Sequence, residues 1–314
     1  MYLLVIKQLL TMILIVIAGF IFARIIKAED TQQKFLSKFL LYFINPCLVI
    51  SSFNRDFDAL KFKQLLVVIA IAFLVHFVMI LTATVFTRSK KEENKAFDIL
   101  NRMGIVFTNC GFIGIPLIRG VFGEDGVFLL MGNLVVFNIL LWTYGYYQMC
   151  GRFNIKEIIT NPNIIGVCIG MIIFCLPVKL PVFISTPVSM IGDLNTATSM
   201  VLIGMLLAKF KKPENSSAIL NLLKMSVVRL VVCSIVNLAL LILVYKLLGP
   251  HMECVMLIFV VYICSMCPSG TSIPSLACVF DQDTSYASIV VSATSVLCIF
   301  TIPAFVKLAE LFIK

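Results

Sequence analysis

The chain alternates between long apolar stretches and short charged or turn-forming connections. Ten apolar spans are delimited in this way, and each is close to the roughly 20 residues that cross a bilayer as a helix. They cover approximately residues 2–24, 35–54, 62–86, 97–120, 125–148, 160–178, 187–208, 217–248, 253–279 and 284–312. The pattern predicts an all-α polytopic membrane protein with ten transmembrane helices. The first span runs into Arg24 and Lys27 without a small-residue cleavage site, which indicates a retained membrane helix.

The composition agrees with this class of protein. Hydrophobic residues make up 61% of the chain and charged residues 13%, and the mean hydropathy is +1.06; soluble domains carry about a quarter charged residues. The formal net charge is +9. Since the Lys and Arg residues are scattered among short connections and form no dense patch, we expect no nucleic-acid partner.

The distribution of positive charge predicts the topology. Lys and Arg are concentrated in alternate connections, at residues 24–38, 88–102, 152–156 and 209–224, and are fewer in the others. The positive-inside rule then places these connections in the cytoplasm and both termini outside. Asp281–Asp283, the last inner connection, carries no positive charge. We expect a multi-pass protein of the plasma membrane, as in a bacterial inner membrane.

The chain also contains an internal repeat. Three features of the first half recur 158 residues later: Ile115-Pro116 as Ile273-Pro274, Val121-Phe122 as Val279-Phe280, and Asp125 as Asp283. Each half contains five spans, an odd number, so the second copy enters the membrane from the opposite face. The sequence therefore predicts two inverted five-helix repeats, at residues 1–150 and 158–314, joined by the hydrophilic connection at 152–157.

The repeated segment places a proline after a run of small residues within an apolar span. Residues 111–116 correspond to 269–274. Proline interrupts the helical hydrogen bonds, and an interruption at membrane depth is tolerated only against protein or a water-filled cavity. The second half-helix of the fourth span is expected to start near Ile115, because proline suits a first turn. Two converging half-helix N-termini would bind an anionic group such as a carboxylate. The alternative is a pair of ordinary kinks packed through small residues.

The candidate site residues follow from these two segments. The substrate-binding candidates are Asn109, Cys110, Gly111, Gly114, Pro116, Pro268, Ser269, Gly270, Thr271, Ser272 and Pro274. Asn45, Asn138 and His76 are secondary candidates, since each places a polar group in an apolar span.

Ionisable residues within spans are costly, so their inventory separates mechanisms. The Asp and Glu residues lie at or near span ends, which argues against a carboxylate relay at the midplane. His76 lies near the middle of the third span, where an interhelical hydrogen bond is favoured over proton transport. Arg229, inside the eighth span, is expected to reach the inner surface or a partner.

Catalytic and metal chemistry find little support. Most of the 11 cysteines lie in apolar spans, and Cys264 and Cys267 have the spacing of a redox or metal pair. Only two histidines exist, and no second Cys-x-x-Cys motif completes a zinc site. Buried cysteine acting as a small hydrophobe is the favoured interpretation. We predict no catalytic residue, metal site or cofactor.

Residues 109–117, 122–126 and 138–145 together resemble the auxin efflux carrier family, and the similarity extends over the whole chain. The resemblance implies ten helices in two inverted repeats, with crossed, broken fourth and ninth helices that contact a substrate carboxylate. It implies transport by alternating access. The chain has no long central loop, so it resembles the short bacterial carboxylate permeases.

The predicted function is that of a secondary transporter of small organic anions, mono- or dicarboxylates such as malate or malonate. A sodium ion or a proton is the candidate coupling ion, and a homodimer the candidate assembly. One alternative is a cation-coupled antiporter or sodium symporter of the same fold. An intramembrane enzyme is disfavoured because the sequence shows no nucleophile–base pair. A receptor is disfavoured because the sequence shows no attached effector domain.

Overall fold

The fold is all-helical in a computed structural model that describes residues 1–87, 95–151, 160, 162–176, 179–209, 216–249 and 252–313. The helices are α1 (Tyr2–Ile25), α2 (Asp30–Phe53), α3 (Ala59–Phe86), α4 (Lys95–Val106), α5 (Cys110–Cys150), α6 (Pro162–Cys175), α7 (Val182–Ala208), α8 (216–248), α9 (Met252–Met266), α10 (Ser272–Val279) and α11 (Thr284–Ala309). One π-turn occurs within α2, one within α8 and two within α5. In the described residues the extended structure is limited to one isolated β-bridge.

Seven of these helices are long and apolar enough to cross a membrane, within the part of the chain that is described. One of them, α5, has 41 residues, about twice what a single crossing needs. Gly123 divides it: its φ of 65° and ψ of −156° lie outside the helical region, in a conformation that only glycine adopts readily. The predicted boundary between the fourth and fifth spans falls at this glycine.

The two chain ends lie at the same end of the molecule. The N-terminal ammonium of Met1 pairs with the Glu310 carboxylate at 3.0 Å. A common end for both termini is consistent with an even number of crossings. The ten-span count, the inverted repeat and the side of the membrane stay predictions, and the proposed repeat boundary at 152–157 lies outside the described residues.

The helices form two groups. In the first helix group, α1 packs along α7, and α2 packs between α6 and α7. The second helix group contains α3, α4, α5, α8, α9, α10 and α11. The groups meet where α5 contacts α1, α2, α6 and α7, and where α11 contacts α1 and α7.

Helix α9 is the centre of the second helix group. Seven consecutive residues, 257–263, are each at most 4% exposed, so this helix is covered on every side. A helix that is apolar all round suits such a buried position. By contrast, α1 exposes Leu3, Leu10 and Leu14, and in a membrane this face meets lipid.

The fourth span breaks earlier than its proline suggests. Helix α4 ends at Val106, and a π-turn occupies the first five residues of α5. Its α-helical part begins at Ile115 with Pro116 in the first turn, so the expected start near Ile115 is confirmed. A π-turn over Cys110–Gly114 leads into Pro116, and the wider turn tolerates a residue without an N–H. Pro116 leaves the Phe112 carbonyl, four residues earlier, without its helical donor. The Ser199 hydroxyl of α7 donates to that oxygen at 3.2 Å, which satisfies the freed carbonyl from a neighbouring helix.

Two glycines allow α1 and α7 to approach each other closely. A Cβ atom on Gly204 would lie 2.2 Å from the Val16 carbonyl oxygen, and one on Gly19 would lie 2.7 Å from the Val201 Cα. Both obstacles are backbone atoms, which cannot move aside as a flexible side chain can. Small residues at such crossings are the usual basis of close helix packing in membranes.

We expect Gly204→Ala to destabilise the fold by about 1–3 kcal/mol, as for an overpacked core position. Gly166→Ala is the matched control, because Gly166 is also a buried helical glycine but its Cβ would meet its nearest neighbour at an ordinary 3.4 Å. Thermal unfolding of the purified protein in detergent measures both. An equal Tm for the two variants would show that α1 and α7 do not pack this closely.

Candidate functional site

The two helix interruptions lie against each other in the second helix group. Thr108, between α4 and α5, and Ser269, between α9 and α10, form an antiparallel β-bridge. The Asn109 N–H donates to the Pro268 carbonyl at 2.7 Å, and the Gly270 N–H donates to the Phe107 carbonyl at 2.8 Å. Because Thr108 and Ser269 are buried, each interruption supplies the hydrogen bonds that the other has lost.

The C-terminal ends of α4 and α9 meet a buried cation on one side of this bridge. The Arg229 guanidinium, from the π-turn of α8, is fully buried. It donates to the Ile105 carbonyl at 3.3 Å, to the Ser265 carbonyl at 2.6 Å and to the Cys267 carbonyl. These oxygens belong to the last turns of the two helices or follow them directly, where carbonyls lack intrahelical donors and the helix dipole is negative.

Ser269 completes this capping. Its hydroxyl donates to the Gly104 carbonyl at 2.8 Å, and its N–H donates to the Thr294 hydroxyl at 3.1 Å. One serine therefore ties the end of α4 to α11. The Ser269 hydroxyl is therefore occupied by a structural hydrogen bond to the Gly104 carbonyl.

A cavity of about 90 Å³ lies on the other side of the bridge. It touches the N-terminal residues of both resumed helices, Asn109 and Gly111 at α5 and Thr271 and Ser272 at α10. Most of its other walls are apolar or aromatic, including Tyr42, Leu48, Phe112, Phe137 and Trp142. Of the described residues that line it, none is charged.

Three side-chain hydrogen-bonding groups at this cavity lack partners. The Asn109 amide nitrogen and the Thr108 and Ser272 hydroxyls are buried and make no hydrogen bond within the described structure. All three can donate, and a buried donor left unpaired costs about 1–3 kcal/mol. They lie beside two helix N-termini, where the dipole is positive. The arrangement suits a small anion with an apolar body.

The structure brings seven of the predicted residues to the cavity. They are Asn45, Asn109, Gly111, Asn138, Gly270, Thr271 and Ser272. Asn45 accepts a hydrogen bond from Asn195 at 2.7 Å, and Asn138 donates to the Leu134 carbonyl of its own helix at 2.8 Å.

The remaining candidates lie elsewhere. Cys110, Gly114, Pro116, Pro268, Ser269 and Pro274 shape or support the two interruptions and do not line the cavity. Pro274 is the third residue of α10, so its helix does begin just before the proline. Gly114 packs tightly, since a Cβ there would lie 3.3 Å from the Cys110 side chain.

His76 is not part of the site either. It is buried in α3, and its Nδ1 contacts the Ala72 carbonyl at 2.8 Å. The expected interhelical hydrogen bond is therefore wrong, because the contact is made within one helix. Its Nε2 has no partner in the described structure.

The distribution of carboxylates also differs from the expectation in one position. Asp193 is the twelfth residue of α7, well inside the helix and not near its end. Its carboxylate lies 3.5 Å from Arg119 and is 65% exposed. The sequence placed the start of this helix five residues too late, which made Asp193 look terminal.

Several residues that build the cavity or support the interruptions have no clear signal in the sequence. Thr108, Asn195, Ser199 and the aromatic walls of the cavity are ordinary residues of apolar spans. The sequence marks Arg229 as an ionisable residue within a span, but it gives no indication of the backbone carbonyls of two other helices to which the guanidinium donates. The signal that could have located it is the shortage of intramembrane carboxylates to pair with it.

The cysteines do not form a metal centre in the part of the chain that is described. Ten of the 11 cysteines are free thiols, and no three side chains of His, Cys, Asp or Glu cluster as metal ligands among the described residues. Cys267 donates to the Ile263 carbonyl of α9 at 3.3 Å, as a buried thiol in a helix does.

Comparison with known proteins assigns the chain to a family. A family model described as "Membrane transport protein" matches residues 4–154 and 147–306. A search of curated proteins finds no match. The paired helix interruptions and the cavity between their N-termini are thus set in a multi-pass membrane protein that belongs to this membrane transport family, the family of the auxin efflux carriers.

Proposed function

We propose that the protein is a secondary transporter of small organic anions, mono- or dicarboxylates, and that it works by alternating access in the plasma membrane. The observation that carries this proposal is the cavity at residues 108–111 and 270–272. There, two helix N-termini converge, and the donors of Asn109 and Ser272 are unpaired. A carboxylate is the chemical group that such donors and dipoles bind best.

Of the two substrate classes, the cavity favours monocarboxylates. A second carboxylate would be buried without a cation, since no basic side chain of the described residues lines the cavity. An unpaired buried charge is costly. The apolar and aromatic walls instead match a hydrocarbon or aromatic body attached to a single carboxylate.

The proposed transport cycle moves the second helix group against the first. The cavity has walls from both, with Tyr42 and Asn45 from α2 on one side and Asn109 and Ser272 on the other. The repeat prediction supports two related openings, one to each face. A proteoliposome screen of labelled carboxylates under imposed sodium, proton and voltage gradients tests substrate and coupling together.

Asn109→Ala is expected to weaken substrate binding about tenfold to a hundredfold, because a hydrogen bond to a charged group is worth about 1.5–3 kcal/mol. The dissociation constant of the best carboxylate from the screen is measured on purified protein. Asn237→Ala is the matched control: Asn237 is equally buried and its amide is also unpaired, but it does not line the cavity. An unchanged dissociation constant for Asn109→Ala in folded protein would remove this residue from the site.

Transport is expected to be electrogenic. An anion held by dipoles and neutral side chains carries its own charge across the membrane, and each elementary charge moved through 100 mV is worth about 2.3 kcal/mol. An inside-negative potential should therefore accelerate export of a monoanion. His76→Gln should keep most of the activity, because His76 lies outside the cavity. Voltage-insensitive transport, or loss of activity in a folded His76→Gln protein, would point to proton coupling through this histidine.

Both termini are proposed to lie outside the cell. In a version with all 11 native cysteines replaced, a cysteine at Asp56, whose side chain is 84% exposed, should react with an impermeant thiol reagent in intact cells. A cysteine at Lys212, which lies outside the described residues, should react only after the membrane is opened. The opposite labelling pattern would invert the topology.

A further inference from the structure

Arg229 is a buried charge that donates to backbone carbonyl oxygens and lies beside the Cys233 thiol. Its side chain is fully buried, and none of the ion pairs formed by the described residues joins it to a carboxylate. A charged side chain inside a membrane protein is costly and marks function more often than structure. The charge is instead stabilised by three backbone oxygens, at Ile105, Ser265 and Cys267.

Such oxygens form a ligand set for a free cation. Backbone carbonyls and the C-terminal ends of half-helices coordinate coupling cations in transporters with broken helices, and oxygen ligands suit hard metal cations. Here the guanidinium already donates to these oxygens. The carbonyl of Gly104, in the same turn of α4, is taken by the Ser269 hydroxyl.

Arg229 and the cavity lie at opposite ends of the same two interruptions. The guanidinium contacts carbonyls at 105, 265 and 267, whereas the cavity touches residues 108, 109, 111 and 270–272. Arg229 does not line the cavity. It therefore acts on an anion only through the helix ends that it holds, which makes it a positioning residue.

We propose that Arg229 is a resident cation, which takes the place of a co-transported metal cation and holds the two interruptions in the geometry that binds an anion. The inference rests on the proposed transport function. A cation fixed to α8 does not cross the membrane, so only the substrate carries net charge. Transport by this chain then requires neither sodium nor potassium.

The test removes the guanidinium and supplies it again from solution. Arg229→Gly should reduce carboxylate transport in proteoliposomes about a hundredfold, because breaking the contacts of a buried charge is severe. Guanidinium chloride at millimolar concentration should restore a saturable part of the activity. Tetramethylammonium chloride at the same ionic strength has no N–H donor and should restore none.

Arg55→Gly is the matched control variant. Arg55 is a partly buried arginine that pairs with Asp125, away from the interruptions, so guanidinium should not stimulate it. Wild-type protein should transport at the same rate with sodium, potassium or choline as the only bulk cation. A sodium or potassium requirement of the wild type would overturn the proposal.

A second measurement does not depend on transport. Guanidinium should raise the Tm of purified Arg229→Gly with saturation, as a ligand that binds the folded state does, and should not raise that of Arg55→Gly or wild type. If no carboxylate is transported by the wild type, the proposed function fails, and this thermal test still decides the role of Arg229. No difference in Tm between the two glycine variants would overturn that role.

Two further variants keep the test valid if Arg229→Gly does not fold. Arg229→Lys retains a cation and should keep most transport without sodium. Arg229→Met is neutral, of similar length and compatible with a folded interior, and should lose transport. Equal transport by folded Lys and Met variants would contradict the proposal.

Discussion

The hydrogen bonds between the two interrupted segments are the constraint on which the rest of the structure depends. Within a membrane an unpaired N–H or C=O costs several kcal/mol, so one broken helix would be unstable by itself. The bridge between Thr108 and Ser269 solves this for both breaks, since the N–H groups of Asn109 and Gly270 each find a carbonyl in the opposite segment. The two interruptions are therefore stable only as a pair.

The pairing separates charge within an apolar interior. Each interruption exposes a helix C-terminus, which is negative, and a helix N-terminus, which is positive. Arg229 neutralises the negative ends of α4 and α9 on one side. On the other side the positive ends of α5 and α10 face a cavity without a charged wall among the described residues. The partial charge that remains at the cavity is therefore positive. It arises from the orientation of the helix backbones and from one arginine outside the cavity.

The sequence predicted the long helices better than the interruptions within the spans. Hydropathy located the long helices because crossing a membrane requires about 20 apolar residues, and the repeated proline located both interruptions approximately. Pro116 marks where the α-helix resumes, at Ile115, but it does not indicate that the preceding helix ends at Val106. A π-turn at Cys110–Gly114 leads into the resumed helix, and Ser199 of α7 donates to the freed Phe112 carbonyl. These contacts join residues far apart in the chain and leave no local pattern.

The candidate site was predicted in part for the same reason. Asn109 and Ser272 were found because they adjoin the prolines, and both line the cavity. Ser269 looked similar in sequence, yet its hydroxyl is turned to the Gly104 carbonyl. Arg229 was harder still, because backbone carbonyls accept hydrogen bonds whatever their side chains. A lone arginine in an apolar span therefore has the same sequence pattern whether it reaches the membrane surface or caps a helix.

The boundary between the two helix groups is where the proposed movement would cost least. Within the first group, Gly19 and Gly204 bring the backbones of α1 and α7 into direct contact, and such packing resists sliding. The polar contacts that cross the boundary include the Ser199–Phe112 hydrogen bond and the Arg119–Asp193 pair at 3.5 Å. An exposed ion pair contributes only about 0–1 kcal/mol. By contrast, the bridged interruptions and Arg229 lie wholly within the second group. A displacement between the groups would then move the bridged interruptions and Arg229 as one unit against the cavity wall that α2 supplies.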